Sequence, residues 1–129
     1  MNLISVIVTT YNWPAALELC LDSLFAQHDS AFEIIIADDG STLDNQAQAQ
    51  ACCAKSPVPI QYVHHDDRGF RAGTIRNKAV AASQGEYLLF IDGDCVCPAD
   101  LVARHRQLAE SGYFVPGNRV LLSESFTQE

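Results

Sequence analysis

The sequence predicts an α/β domain, built as a mostly parallel sheet with helices on both faces. Two observations carry this. Short apolar, β-branched runs alternate with segments of helical periodicity, four times along the chain. Each apolar run also ends in polar or charged residues, as strands of an open parallel sheet do where their crossovers begin.

The elements follow in order. "LISVIVTT" (3–10) is apolar, β-branched and short, which predicts a buried strand. In "NWPAALELCLDSLFAQ", Asn12 is placed to cap and Pro14 suits a first turn. Leu17, Leu21, Leu24 and Phe25 share one face, so a helix is expected over about 14–26. "FEIIIADDGS" (32–41) is a second buried strand running into an acidic turn. The next segment reads as a helix capped by Ser41 or Thr42 and stopped before Pro57. "IQYVHH" (60–65) is a third strand, followed by the charged, glycine-punctuated loop "DDRGFRAG" (66–73). "TIRNKAVAAS" (74–83) is helical and ends near Gly85. "EYLLFID" (86–92) is the fourth strand. A helix with Pro98 at its start and Gly112 past its end comes next, then one or two strands in "YFVPGNRVLLS" (113–123) and a polar tail.

With 129 residues the chain is one ordinary domain, and 48% hydrophobic with 19% charged residues suits a soluble globular core. The net charge of −8, from 16 acids against 8 Lys and Arg, argues against nucleic acid or an anionic membrane as main partner. No apolar stretch approaches the roughly 18–20 residues of a membrane span, and the N-terminus lacks the basic region of a signal peptide. The five cysteines (20, 52, 53, 95 and 97) read as buried thiols of a reducing compartment. The pairs Cys52–Cys53 and Cys95–Cys97 leave metal or redox roles open, with His64–His65 as weak support for zinc.

In open parallel sheets, ligands bind outside the carboxyl ends of the strands. Strand one ends in Thr9, Thr10, Tyr11 and Asn12, and strand two in Asp38, Asp39, Gly40 and Ser41. Strand three ends in His64, His65, Asp66, Asp67 and Arg68, with Arg71 beyond, and strand four in Asp92, Gly93 and Asp94. Each group has a plainer use: Asn12 and Ser41 as caps, Asp38 and Asp39 in a solvated turn, Tyr11 in packing, the arginines as surface charges. Their joint occurrence on all four strand ends favours a site. Carboxylates two residues apart face one point where a chain turns, and Gly93 lets the backbone bend. Mg²⁺ or Mn²⁺ is held by such carboxylates together with substrate phosphates and water. Arginines at the same rim suit a diphosphate.

At this point the motifs "ISVIVTTYNWP", "EIIIADDGS", "DDRGFRAGTIRNKAV" and "GEYLLFIDGDC" resemble, in order and spacing, the nucleotide-sugar-binding half of the inverting glycosyltransferases of family 2. The resemblance covers nearly all 129 residues and is closest to bacterial polysaccharide enzymes, including galactosyltransferase-like and chondroitin-polymerase-like branches. It implies a GT-A fold, a Rossmann-like three-layer α/β/α arrangement. It implies a hexosyltransferase that uses a nucleotide-diphospho-sugar, with UDP the expected nucleotide, and a glycan or lipid-linked acceptor. The expected location is cytoplasmic, at the inner face of the membrane for a lipid-linked acceptor. Thr9, Tyr11 and Asn12 would line the base pocket, and Asp39 would contact base or ribose beside Asp38. Arg71 and Arg76, ahead of Arg68, would serve the diphosphate or its covering loop. Asp92 would reach the ribose or sugar side, Asp94 would coordinate Mn²⁺ or Mg²⁺, and Lys78 is expected at the surface. The catalytic base is expected beyond residue 129, since Asp100 and Glu110 lie on a helix and Glu124 and Glu129 in the tail. The chain is therefore expected to be the N-terminal part of a longer enzyme. Alone, it would be a donor- and metal-binding fragment without turnover. A haloacid-dehalogenase-type phosphotransferase would carry its D-x-D on an early strand. A receiver domain would carry its acidic pair after the first strand. Neither pattern is present.

Overall fold

The computed structural model describes residues 3–65 and 72–110. They form strands β1 (Ile4–Thr10), β2 (Phe32–Asp38), β3 (Ile60–His64) and β4 (Tyr87–Asp92). The helices are α1 (Pro14–Phe25), α2 (Leu43–Cys53), α3 (Ala72–Ala82) and α4 (Leu101–Glu110). The four strands are all parallel, in the order β3-β2-β1-β4. The expected α/β architecture is the one observed.

Strand parity sorts the sheet into two cores. Ile4, Val6, Val8, Phe32, Ile34, Ile36, Leu89 and Ile91 pack with α1, α2 and Val102 of α4. Ile7, Ile35 and Ala37 pack with Ile75 and Ala79 of α3 on the opposite face. β1 and β2 need apolar residues on both faces because both faces are covered; β2 is buried at all seven positions. α1 earns its place through Leu17, Cys20, Leu21 and Leu24, all fully buried. Burial of a leucine-sized side chain contributes about 1.5–3 kcal/mol.

The helix placement follows the handedness of the crossovers. From β1 to β2 to β3 the chain steps outward in one direction, with α1 and α2 on one face. It then returns past β1 to β4, and α3 takes the other face. The strand order thus reverses between β1 and β4, the switch point at whose carboxyl ends open parallel sheets place their ligand crevice.

Several local expectations change. Asn12 does not cap α1: Trp13 occupies that position without a side-chain cap bond, and Pro14 starts the helix. Thr42, not Ser41, caps α2, its Oγ1 accepting from the Asn45 amide at 3.4 Å. α3 begins at Ala72, two residues ahead of the expected start. Gly73 falls in its first turn, where a Cβ would meet nothing within 4 Å. α4 starts at Leu101 rather than Pro98. The Pro98 carbonyl accepts from Gln27 Nε2 at 2.6 Å, and the Ala99 carbonyl accepts from the His28 amide at 2.8 Å. These bonds hold 98–100 as a turn against the end of α1. The strands expected over 113–123 lie outside the described residues. Among the described residues, no helix is long and apolar enough to cross a membrane.

Candidate functional site

The crevice between β1 and β4 has a definite composition. Thr9 and Asp92 are register partners, and parity puts both on the α3 face. Thr9 Oγ1 donates to Asp92 Oδ1 at 3.2 Å, and an Arg76 guanidinium nitrogen on α3 lies 3.6 Å from the same oxygen. Arg76 Nε is buried and has no hydrogen-bond partner among the described residues. Asp92 therefore sits in a polar cluster joining β1, β4 and α3.

Gly93 stands in the turn after β4 and has a second use besides the bend expected of it. Its amide donates to the Thr9 carbonyl at 2.6 Å, and a Cβ there would stand 2.4 Å from that oxygen. The glycine allows β1 and β4 to close on each other, and Asp94 is left exposed at the rim. Asp92 and Asp94 thus separate by environment, one engaged in the crevice and one facing solvent.

Behind Asp94 the thiols pack inward. Cys20 and Cys95 are buried, and all five cysteines are free. Cys95 Sγ lies 3.8 Å from Asp94 Oδ1, and burial, with the carboxylates of Asp94 and Asp92 adding to it, pushes its pKa up to about 11. A hydrogen bond to Cys97 together with burial holds the Cys20 thiol protonated, and the same bond lowers Cys97. These thiols fill core space under the turn. Among the described residues no group of three His, Cys, Asp or Glu is arranged to hold a metal ion. The turn instead offers the exposed carboxylate of Asp94 beside the engaged Asp92. That is a hard oxygen donor set which suits Mg²⁺ or Mn²⁺ when phosphate oxygens and water complete the shell.

The second wall comes from the β1–α1 and β2–α2 connections. Asn12 adopts φ 48°, in the left-handed region that asparagine tolerates better than most residues. Its amide donates to Ser41 Oγ at 2.8 Å, while its Oδ1 accepts from the Thr42 amide at 2.7 Å and from Asn45 Nδ2 at 3.0 Å. Asn12 is thus a clamp between the end of β1 and the start of α2. These bonds fix the end of β1 against α2 beside the rim where the base pocket is expected. Tyr11 beside it is 48% exposed at the rim.

The aspartate pair of β2 also divides. Asp38 is fully buried; its Oδ1 accepts from the Ser41 amide at 2.9 Å, and its other oxygen accepts from the Tyr62 hydroxyl. Desolvation, with the Asp38 contact, raises the Tyr62 phenol far above its ordinary pKa, so it stays a donor. Gly40, at φ 96°, turns the chain between them and α2. Asp39, one residue on, has its amide tied to the Thr10 carbonyl at 3.0 Å and its carboxylate against His65 Nε2.

The structure therefore brings Thr9, Arg76 and Asp92 into direct contact and places Asp94, Tyr11, Asn12 and Asp39 at strand ends of the same rim. Arg68 and Arg71 lie outside the described residues, and Lys78 is exposed. Two participants were not anticipated in these roles: Tyr62 as the anchor of Asp38 and His65 as the partner of Asp39. Tyr62 was legible only through parity, since it and Asp38 fall on the same face of neighbouring strands.

Comparison with known proteins agrees with this architecture. The family described as "Glycosyl transferase family 2" matches residues 5–127. An uncharacterized glycosyltransferase of Bacillus subtilis, EpsJ, is 34% identical over 108 residues, spanning 84% of this chain and 30% of that protein. The hyaluronan synthase of Pasteurella multocida is 34% identical over 92 residues, which is 70% of this chain and 9% of that protein. Among solved structures, S. aureus TarS 1–349 in complex with UDP superposes with a TM-score of 0.71 at 25% identity, covering 88% of this chain and 38% of that one. The mannosyltransferase PcManGT from Pyrobaculum calidifontis, in complex with GDP-Man and Mn²⁺, gives 0.74 at 26% identity, covering 82% and 32%. The chain spans between 26% and 30% of the length of the first curated relatives. A parallel sheet that reverses order at β1 and β4, polar groups gathered there, and a family match over nearly the whole length lead to one statement: this chain belongs to glycosyl transferase family 2.

Proposed function

We propose that the chain binds a nucleoside-diphospho-sugar, with uridine as the nucleoside. The protein then transfers the sugar, with inversion at its anomeric carbon, to a hydroxyl of a glycan or lipid-linked acceptor. The observation that carries this is the pairing at the switch point: Asp92 held by Thr9 and Arg76, with exposed Asp94 two residues on. Related structures containing UDP, or GDP-Man with Mn²⁺, support the ligand class.

Each group then has a share of the work. Tyr11 packs on the base, and Asp39 accepts a hydrogen bond from the nucleoside. Asp92 takes the ribose or sugar side, kept in place by Thr9 Oγ1. Arg76 and Arg71 serve the diphosphate; a buried guanidinium N–H without an acceptor, as at Arg76 Nε, supports an anionic ligand nearby. Asp94 would hold Mn²⁺ or Mg²⁺, which when bound offsets the negative charge of the departing nucleoside diphosphate. In the inverting reaction the acceptor oxygen attacks the anomeric carbon as the bond to the diphosphate breaks, and a base takes the hydroxyl proton. Asp100 pairs with Arg104 on α4 at 2.8 Å, and this reading assigns the base to none of the described carboxylates. By this reading residues 1–129 act as the donor- and metal-binding unit, working at the cytoplasmic side where a lipid-linked acceptor is reached.

Calorimetric titration with UDP, with and without Mn²⁺, tests the reading. Mn²⁺ should tighten UDP binding about tenfold or more, and Asp94→Ala should abolish that tightening. UDP affinity indifferent to both metal and substitution overturns it.

A further inference from the structure

His65 stands one residue past β3 and is 8% exposed. Its amide reaches the Asp38 carbonyl at 3.4 Å, and Nε2 is hydrogen-bonded to Asp39 Oδ1. Its other ring nitrogen, Nδ1, is buried with no hydrogen-bond partner among the described residues. A side chain present only to fill that volume would be apolar, since an unpaired buried polar atom costs free energy. Here the ring tolerates an unsatisfied nitrogen while committing the other to one carboxylate. Asp39 is tied through its amide to β1, by the Thr10 carbonyl at 3.0 Å, and through its carboxylate to the end of β3.

We infer that His65 is a positioning residue for donor recognition. Its Nε2–H fixes the Asp39 carboxylate in the orientation that accepts a hydrogen bond from the nucleoside. The inference rests on the donor-binding reading above. A carboxylate fixed in this way selects a hydrogen-bond donor, supplied either by a ring N–H of the base or by a ribose hydroxyl. Uracil offers a ring N–H where cytosine presents a bare ring nitrogen, so UDP and CDP separate the two sources.

The test is calorimetric titration of UDP and CDP, alongside thermal melts, on the wild-type protein and His65→Leu, His65→Gln, His65→Asn and Asp39→Asn. Glutamine carries an amide N–H close to where Nε2 stood, whereas the asparagine amide falls at the Nδ1 position. His65→Leu and His65→Asn should weaken UDP binding about tenfold, and His65→Gln should stay within about threefold of wild type. A loss confined to UDP identifies the ring N–H; an equal loss for UDP and CDP identifies the ribose hydroxyl. In the Asp39→Asn background, His65→Leu should produce no further loss. Unchanged UDP affinity in His65→Leu overturns the inference, as does a His65→Gln variant that melts normally yet binds as weakly as His65→Leu. Should His65→Leu fail to fold, the glutamine–asparagine contrast carries the same decision. If Asp39→Asn alone leaves UDP binding intact, the role given to Asp39 in donor binding falls instead.

Discussion

Replacing Gly93 with alanine joins the fold to the site in one perturbation. A Cβ at 93 would lie 2.4 Å from the Thr9 carbonyl oxygen and 3.3 Å from Thr10 Cβ. Real Cβ atoms essentially never approach another atom under 3.0 Å, so β1 and the β4 turn must separate by at least 0.6 Å. The side of the contact that must move is backbone, held in register between β2 and β4, and it has no rotamer to escape into. Overpacking of this kind costs about 1–3 kcal/mol, and stretching the 2.6 Å bond from the Gly93 amide to Thr9 adds about 1 kcal/mol. The sum, about 2–4 kcal/mol, corresponds to a fall in melting temperature of roughly 6–20 °C for a domain of this size. The same shift carries Asp92 and Asp94 away from Thr9 and the rest of the rim, so UDP affinity in Mn²⁺ should fall at least tenfold, well within what sub-ångström misplacement produces. Circular dichroism melts and UDP titration read the two effects. A Gly93→Ala protein melting within 1–2 °C of wild type, with unchanged UDP affinity, would refute the argument that this close approach shapes the crevice.

Two further expectations probe groups away from the donor. Tyr62→Phe removes the hydroxyl that donates to buried Asp38 and should cost about 1.5–3 kcal/mol in urea denaturation, while UDP affinity stays within about twofold because Asp38 faces the α1–α2 side; equal stability would show the contact to be idle. Arg106 clasps Asp29 through Nε at 2.6 Å and a second nitrogen at 3.2 Å, and these hydrogen bonds hold the Asp29 carboxyl below its ordinary pKa. A depressed carboxyl contributes stability above its unfolded pKa, near 3.9, and that contribution is lost as pH falls through the folded value. Arg106→Leu should therefore be about 1.5–3 kcal/mol less stable than wild type at pH 7, with the gap narrowing in denaturation curves taken below about pH 4; a gap of constant size down to pH 3 would contradict the pairing.

The order of strands and helices and the rim of polar strand ends were legible in the sequence because both are local. A β-branched apolar run buried on two faces is recognisable by itself, and so is a helix with leucines at 17, 21 and 24. The motif order was equally legible, and with it the family. Roles within the site were not, because they depend on partners far away in the chain. Asn12 and Ser41 both looked like caps of their own helices, yet they bond to each other across 29 residues. Asp38 and Asp39 are neighbours in sequence with opposite fates, one locked by Tyr62 and the other turned to His65. Gly93 was legible as a bend, but not that its missing side chain makes room for the Thr9 carbonyl of β1. The sequence by itself determined which elements form and that polar groups collect at their ends. Only the tertiary structure decided which of those groups hold the walls and which face the crevice, because the register of parallel strands is set by crossovers that no local pattern encodes.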